Sequence, residues 1–158
     1  MKKSLPAAIL ISGLIVGTAD ITCACLSAWI QKGISPETVL RYVASGIYGS
    51  EAFTGGSSMP VMGLIFHYII AFSFTILFFF LYPKLEWMRK NKILTAVLYG
   101  IFMWAITTRI VLPLSNVKTG PFNLVQALLA IAILVIAIGI PLGYLAGNFY
   151  ESKKEQTE

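Results

Sequence analysis

Apolar residues run along this chain in four long blocks separated by short polar segments: Leu5–Ile30, Pro60–Tyr82, Ile93–Leu114 and Phe122–Ala146. A hydrocarbon core takes about 20 helical residues to cross, and each block meets that length. The pattern predicts an all-α integral membrane protein, a bundle of four transmembrane helices. One membrane domain covers 1–150, followed by a short charged tail, 151–158. The run Met1-Lys2-Lys3 before the first block also resembles a secretory signal peptide. The block outruns the usual apolar core of about 7–15 residues, however, and Asp20 interrupts its end, so an uncleaved span is expected.

The one long connection, Gln31–Met59, carries its own helix signal. Ser35 is a capping hydroxyl, Pro36 suits the first helical position and Glu37 adds an acid to the first turn. Val39, Leu40, Val43 and Ile47 recur at helical spacing. A short amphipathic helix over Pro36–Tyr48 is predicted, lying on the outer surface or folded back over the bundle. Gly49-Ser50-Glu51 ends it, and Thr54-Gly55-Gly56-Ser57-Ser58 reads as a flexible turn.

Composition agrees with this class. The chain has 158 residues, 57% of them hydrophobic and 12% charged, with a mean hydropathy of +0.79. The formal net charge of +5 is distributed as a topology signal. Lys2, Lys3, Lys84, Arg89, Lys90, Lys92, Lys153 and Lys154 fall on one side of the four-span arrangement, and only Lys32, Arg41 and Lys118 on the other. The positive-inside rule then places both termini in the cytoplasm. The Lys84–Lys92 loop, with Trp87, is expected to rest on anionic headgroups. Scattered in short loops with no accompanying motif, these cations do not form a nucleic-acid footprint.

Three ionisable residues interrupt three different blocks: Asp20, His67 and Arg109. A charge in hydrocarbon is costly and marks a functional candidate. At 1.5 Å per residue, Asp20 lies about 22 Å above Leu5, His67 about 10 Å below Pro60 and Arg109 about 7 Å below Leu114. All three are therefore expected in the outer half. Small residues share their faces: Gly13, Gly17, Asp20 and Ala24 form one stripe, and Gly63, His67 and Ala71 another. Gly139, Gly143 and Gly147 form a third near the cytoplasmic end of the fourth span, which Pro141 is expected to kink. Small residues let helices approach closely in lipid. The expectation is an Asp20–Arg109 ion pair with His67 beside it, His67 being the group that titrates near neutral pH. Glu51 either caps this cluster from outside or is a solvated loop carboxylate.

Other chemistry is poorly supported. Cys23 shares a face with Asp20, so a Cys23–His67–Asp20 metal set is conceivable. Cys25 points elsewhere, and the spacing is not a zinc pattern. No metal or other cofactor is expected. With one histidine in the chain and no nucleophile motif, no enzyme is predicted. Phe78-Phe79-Phe80 reads as lipid-facing filler, with Tyr82 as an interface anchor.

Several short stretches carry a resemblance: Gly17-Thr18-Ala19-Asp20, Val43-Ala44-Ser45-Gly46, Glu51-Ala52-Phe53-Thr54-Gly55-Gly56, Gly63-Leu64-Ile65-Phe66-His67 and Val111-Leu112-Pro113-Leu114-Ser115. Through them the chain resembles a group of small, uncharacterised four-span bacterial inner-membrane proteins. The resemblance implies location and architecture, and places Asp20, Glu51 and His67 within recurring motifs without giving them roles. Two functions remain open. One is a transport or channel component whose polar cluster takes an ion, a proton or a small solute. With four short spans, this is expected to need a homo-oligomer. The other is a structural or accessory membrane protein locked by the Asp20–Arg109 pair. The lipid bilayer is the one partner expected in both.

Overall fold

The computed structural model describes residues 4–117 and 120–154, the last two by backbone alone. Lys2, Lys3, Lys118 and the tail beyond 154 lie outside the described residues. All regular structure among the described residues is helical, and four helical segments are long and apolar enough to cross a membrane: Leu5–Lys32, Ser58–Leu81, Lys92–Leu114 and Leu124–Ser152.

Local sequence sets the helix ends. Helix α1 (Leu5–Lys32) starts at Ser4, whose hydroxyl accepts from the Ala7 amide. It stops at Gly33, in the left-handed region at φ 63°, where glycine is tolerated and other residues are strained. Helix α2 (Pro36–Tyr48) is capped by Ser35 and ends at Gly49. One turn, α3 (Glu51–Thr54), follows, so the segment after Gly49 is ordered as a helical turn. Helix α4 (Ser58–Leu81) is the second long segment. The short α5 (Glu86–Lys90) lies within the basic loop. Asn91 caps α6 (Lys92–Ile106), and Asn123 caps α8 (Leu124–Leu134).

The third and fourth long helices each carry a wide π-helical turn. One spans Thr107–Val111 and leads into α7 (Leu112–Leu114); the other spans Val135–Gly139 and leads into α9 (Ile140–Lys154). Both precede a proline, Pro113 and Pro141. Proline offers no N–H, and its ring clashes with the carbonyl four residues back. The chain absorbs this by bonding one residue further along: the Leu112 amide donates to the Thr107 carbonyl, and the Ile140 amide to the Val135 carbonyl. The sequence predicted an irregularity only at Pro141. The fourth long helix also continues past Ala146, carrying the first tail residues as helix.

Packing concentrates at the end of the bundle away from α2. There Phe78, Phe79, Tyr82, Met88, Ile138 and Leu142 are fully buried. The Phe78 and Tyr99 rings meet edge to face at 4.8 Å, and Tyr82 stacks on Tyr150 at 5.9 Å. The Tyr99 hydroxyl donates to the Phe74 carbonyl at 2.6 Å, and the Tyr150 hydroxyl to Phe79 at 2.8 Å. This corrects the reading of Phe78-Phe79-Phe80 as lipid-facing. Successive helical residues point about 100° apart, so three in a row cannot share one face. Only Phe80, 55% exposed, points outward. Tyr82 is buried rather than an interface anchor.

Close backbone approach explains several glycines. A Cβ at Gly63 would collide with the Leu40 carbonyl, so α2 lies directly across α4. A Cβ at Gly139 would meet the Ala96 carbonyl, and one at Gly100 the Val135 side chain. Gly13 and Gly17 leave room for the Phe72 and Tyr68 rings of α4. Gly147 sits against Tyr82 and Lys92, whereas Gly143 has only ordinary contacts with Lys92.

Candidate functional site

The half of the bundle nearer α2 is hollow. A cavity of about 660 Å³ lies between α1, α2, α4, α8 and the third long helix. Helix α1 contributes Asp20 and Ala24 to its wall; α4 contributes Phe66, His67, Ile70 and Phe74. The third long helix adds Met103, Trp104, Thr107, Thr108, Val111 and Leu112. Tyr42, Val43, Gly46 and Ile47 of α2 cover it, together with Ser115 and Val117 of the following loop. Ile47 and Ile69 both line the cavity and are mostly exposed, which places its mouth on the flank beside α4.

Asp20 and His67 are brought together in this wall. Gly17, one turn before Asp20, is the reason the helices come close enough: its missing Cβ admits the Tyr68 ring, which would stand 2.9 Å from a side chain there. Tyr68 bonds Thr18 across the same seam at 2.7 Å. The His67 Nε2 lies 2.8 Å from the Gly17 carbonyl oxygen. A carbonyl only accepts, so Nε2 carries the hydrogen and Nδ1 is left uncommitted. His67 lines the same wall as Asp20. Among the described residues the Asp20 carboxylate takes part in none of the ion pairs, and Asp20 lines the cavity. Burial pushes the Tyr42 phenol, in the cover, above its ordinary value.

Arg109 is not part of this site. It is exposed and does not line the cavity. The expected Asp20–Arg109 ion pair is not made: the ion pairs among the described residues are Glu37–Arg41, Glu86–Lys90 and Lys92–Glu151. The physical reason is rotational. Through the π turn the cavity-facing positions are Met103, Thr107 and Val111, and Trp104, Thr108 and Leu112. Arg109 follows Thr108 and is turned off that face. The bundle lock that rested on this pair therefore has no basis. Glu51 is exposed at the start of α3, away from the cavity.

No metal set forms either. Among the described residues no three His, Cys, Asp or Glu side chains gather as ligands. Cys23 lines a shallow groove on the flank of α1 with Thr18 and Thr22, and Cys25 a different one with Trp29 and Leu40. Both thiols are free.

The cover is held by a residue that sequence reasoning used only for topology. Arg41, whose side chain is 15% exposed, pairs with Glu37 at 2.9 Å. It also donates to the carbonyls of Ala52 at 2.9 Å and Gly55 at 2.8 Å. Asn116, from the loop after α7, ties the other end of α2 by donating to the Ile47 carbonyl at 2.8 Å and, through its amide, to Gly46 at 2.9 Å. The Glu37–Arg41 spacing of four was the one sequence signal for the Arg41 clasp.

No family model matches this chain, and neither a curated protein nor a solved structure matches it.

Proposed function

We propose that this is a multi-pass protein of a bacterial inner membrane, with both termini inside and α2 outside, that serves as a solute-binding component of transport. The orientation follows from the side that carries most of the Lys and Arg residues. The observation that carries the reading is the Asp20 carboxylate, in none of the ion pairs among the described residues and lining a solute-sized cavity with His67. Cavities of about 300–1,000 Å³ with an apolar wall and a few convergent polar groups are the usual form of a small-molecule site. A carboxylate kept in a membrane segment without a structural partner fits use rather than scaffolding.

The packed rings of Phe78, Tyr82, Tyr99 and Tyr150 close the inner half. A carrier that opens alternately to each side fits this better than a permanently open channel. Exposed apolar faces, Ile11, Ile15, Leu128 and Ile136 among them, take lipid or a second copy.

Recordings on supported membranes bearing the reconstituted protein test this reading. Concentration jumps in protons and in a panel of organic cations, anions and zwitterions should give charge movement for at least one solute. That movement should be lost in Asp20→Asn. Currents absent across the panel, or indifferent to Asp20→Asn, overturn the reading.

A further inference from the structure

We propose that the solute is a hydrophobic organic cation, with the Asp20 carboxylate as its counter-ion. The inference rests on the reading of the cavity as a solute site and names what that site selects.

Charge comes first. Asp20 lines the cavity, and among the described residues no Lys or Arg does. Arg109, the one cation of the third long helix at similar depth, is turned away. His67 spends its Nε2–H on the Gly17 carbonyl, so that hydrogen is not offered to a ligand. An anion would meet a carboxylate with no Lys or Arg among the described residues of the wall to offset it. A cation supplies the charge that the wall lacks, in a setting where water does little to screen the attraction.

Size and polarity then exclude the smallest cations. A cavity of about 660 Å³ greatly exceeds a bare metal ion. Hard metal ions take about six oxygen ligands, and one carboxylate in a mostly apolar wall falls far short. An organic cation instead covers the apolar wall with its body. The rings of Tyr42, Phe66, Phe74 and Trp104 stand in that wall, and aromatic faces attract cations. The mouth beside Ile47 and Ile69 suits entry from the outer leaflet, where such amphiphiles collect.

Equilibrium dialysis of labelled tetraphenylphosphonium against the full-length protein in detergent micelles tests this. Tetraphenylborate, of similar size and opposite charge, is the comparison. We expect saturable phosphonium binding at one site per chain, weakened at least tenfold in Asp20→Asn and unchanged in Arg109→Gln. Binding should fall as pH is lowered, because protons compete for the carboxylate; Asp20, His67 and Tyr42 are the titratable groups of the wall among the described residues. If Asp20→Asn fails to fold, the pH series on the unaltered protein decides. Phosphonium binding indifferent to both the substitution and pH overturns the proposal, as does borate binding equally well or no saturable phosphonium binding. The solute-site reading fails separately. Asp20-dependent currents with an uncharged or anionic solute would leave the site standing and the cation wrong, whereas no Asp20-dependent current at all removes the site.

Discussion

The imidazole of His67 on α4 donates its Nε2–H to the carbonyl oxygen of Gly17 on α1, 2.8 Å away. This bond spans two long helices and depends on the glycine that accepts it. Because Gly17 has no side chain, Tyr68 lies flush against α1 and reaches Thr18. Asp20, one turn on from this seam, lines the cavity.

Gly17→Val should therefore separate α1 from α4. Overpacking a close contact costs about 1–3 kcal/mol. The expected result is a lower thermal midpoint together with loss of the Thr18–Tyr68 bond. An unchanged midpoint would mean that the seam is loose.

Asp20 and Arg109 should be energetically independent. A double-mutant cycle with Asp20→Asn and Arg109→Gln should give a coupling within about 0.5 kcal/mol. Breaking a buried pair would instead cost about 3–5 kcal/mol. Denaturant unfolding in mixed micelles reads the difference, and a large coupling would restore the ion-pair lock.

Arg41→Met should loosen the cover while sparing the spans. The guanidinium holds the Ala52 and Gly55 carbonyls, and hydrogen bonds to charged groups contribute about 1.5–3 kcal/mol. Proteolysis between α2 and α4 should become faster, with the far end of the bundle equally protected. Equal resistance in both proteins would show that the clasp is dispensable.

Phe79→Ala and Phe80→Ala should differ sharply. Phe79 is 1% exposed and Phe80 55%. The first change should cost about 3–5 kcal/mol through a cavity, and the second within about 0.5 kcal/mol. Unfolding midpoints of the two variants measure this; similar losses would return the run to the lipid face.

The sequence carried the four long helices plainly, because hydropathy over about 20 residues needs no tertiary information. Helix α2 was equally legible from Ser35, Pro36 and Glu37. Depth along each helix could also be counted, and Asp20 and His67 do line one cavity. Which way a side chain points was harder to read. The expectation for Arg109 assumed a regular helix through Thr107–Val111, and the π turn before Pro113 changes the register there. The Arg41 clasp escaped notice because its acceptors are backbone carbonyls, which have no sequence signature. The small-residue stripe of Gly63, His67 and Ala71 suggests one helix packed on another, and Gly63 receives the α2 backbone.

The chain's single histidine makes the central claim directly measurable. Ring-nitrogen NMR of protein carrying ¹⁵N-histidine, in lipid nanodiscs, reports His67 alone. The account predicts a ring protonated at Nε2 and hydrogen-bonded to the Gly17 carbonyl. Its Nδ1 signal should move on Asp20→Asn and on adding tetraphenylphosphonium, and stay in place on Arg109→Gln. A ring protonated at Nδ1 and not at Nε2, or one that responds to Arg109→Gln and ignores Asp20→Asn, would contradict it.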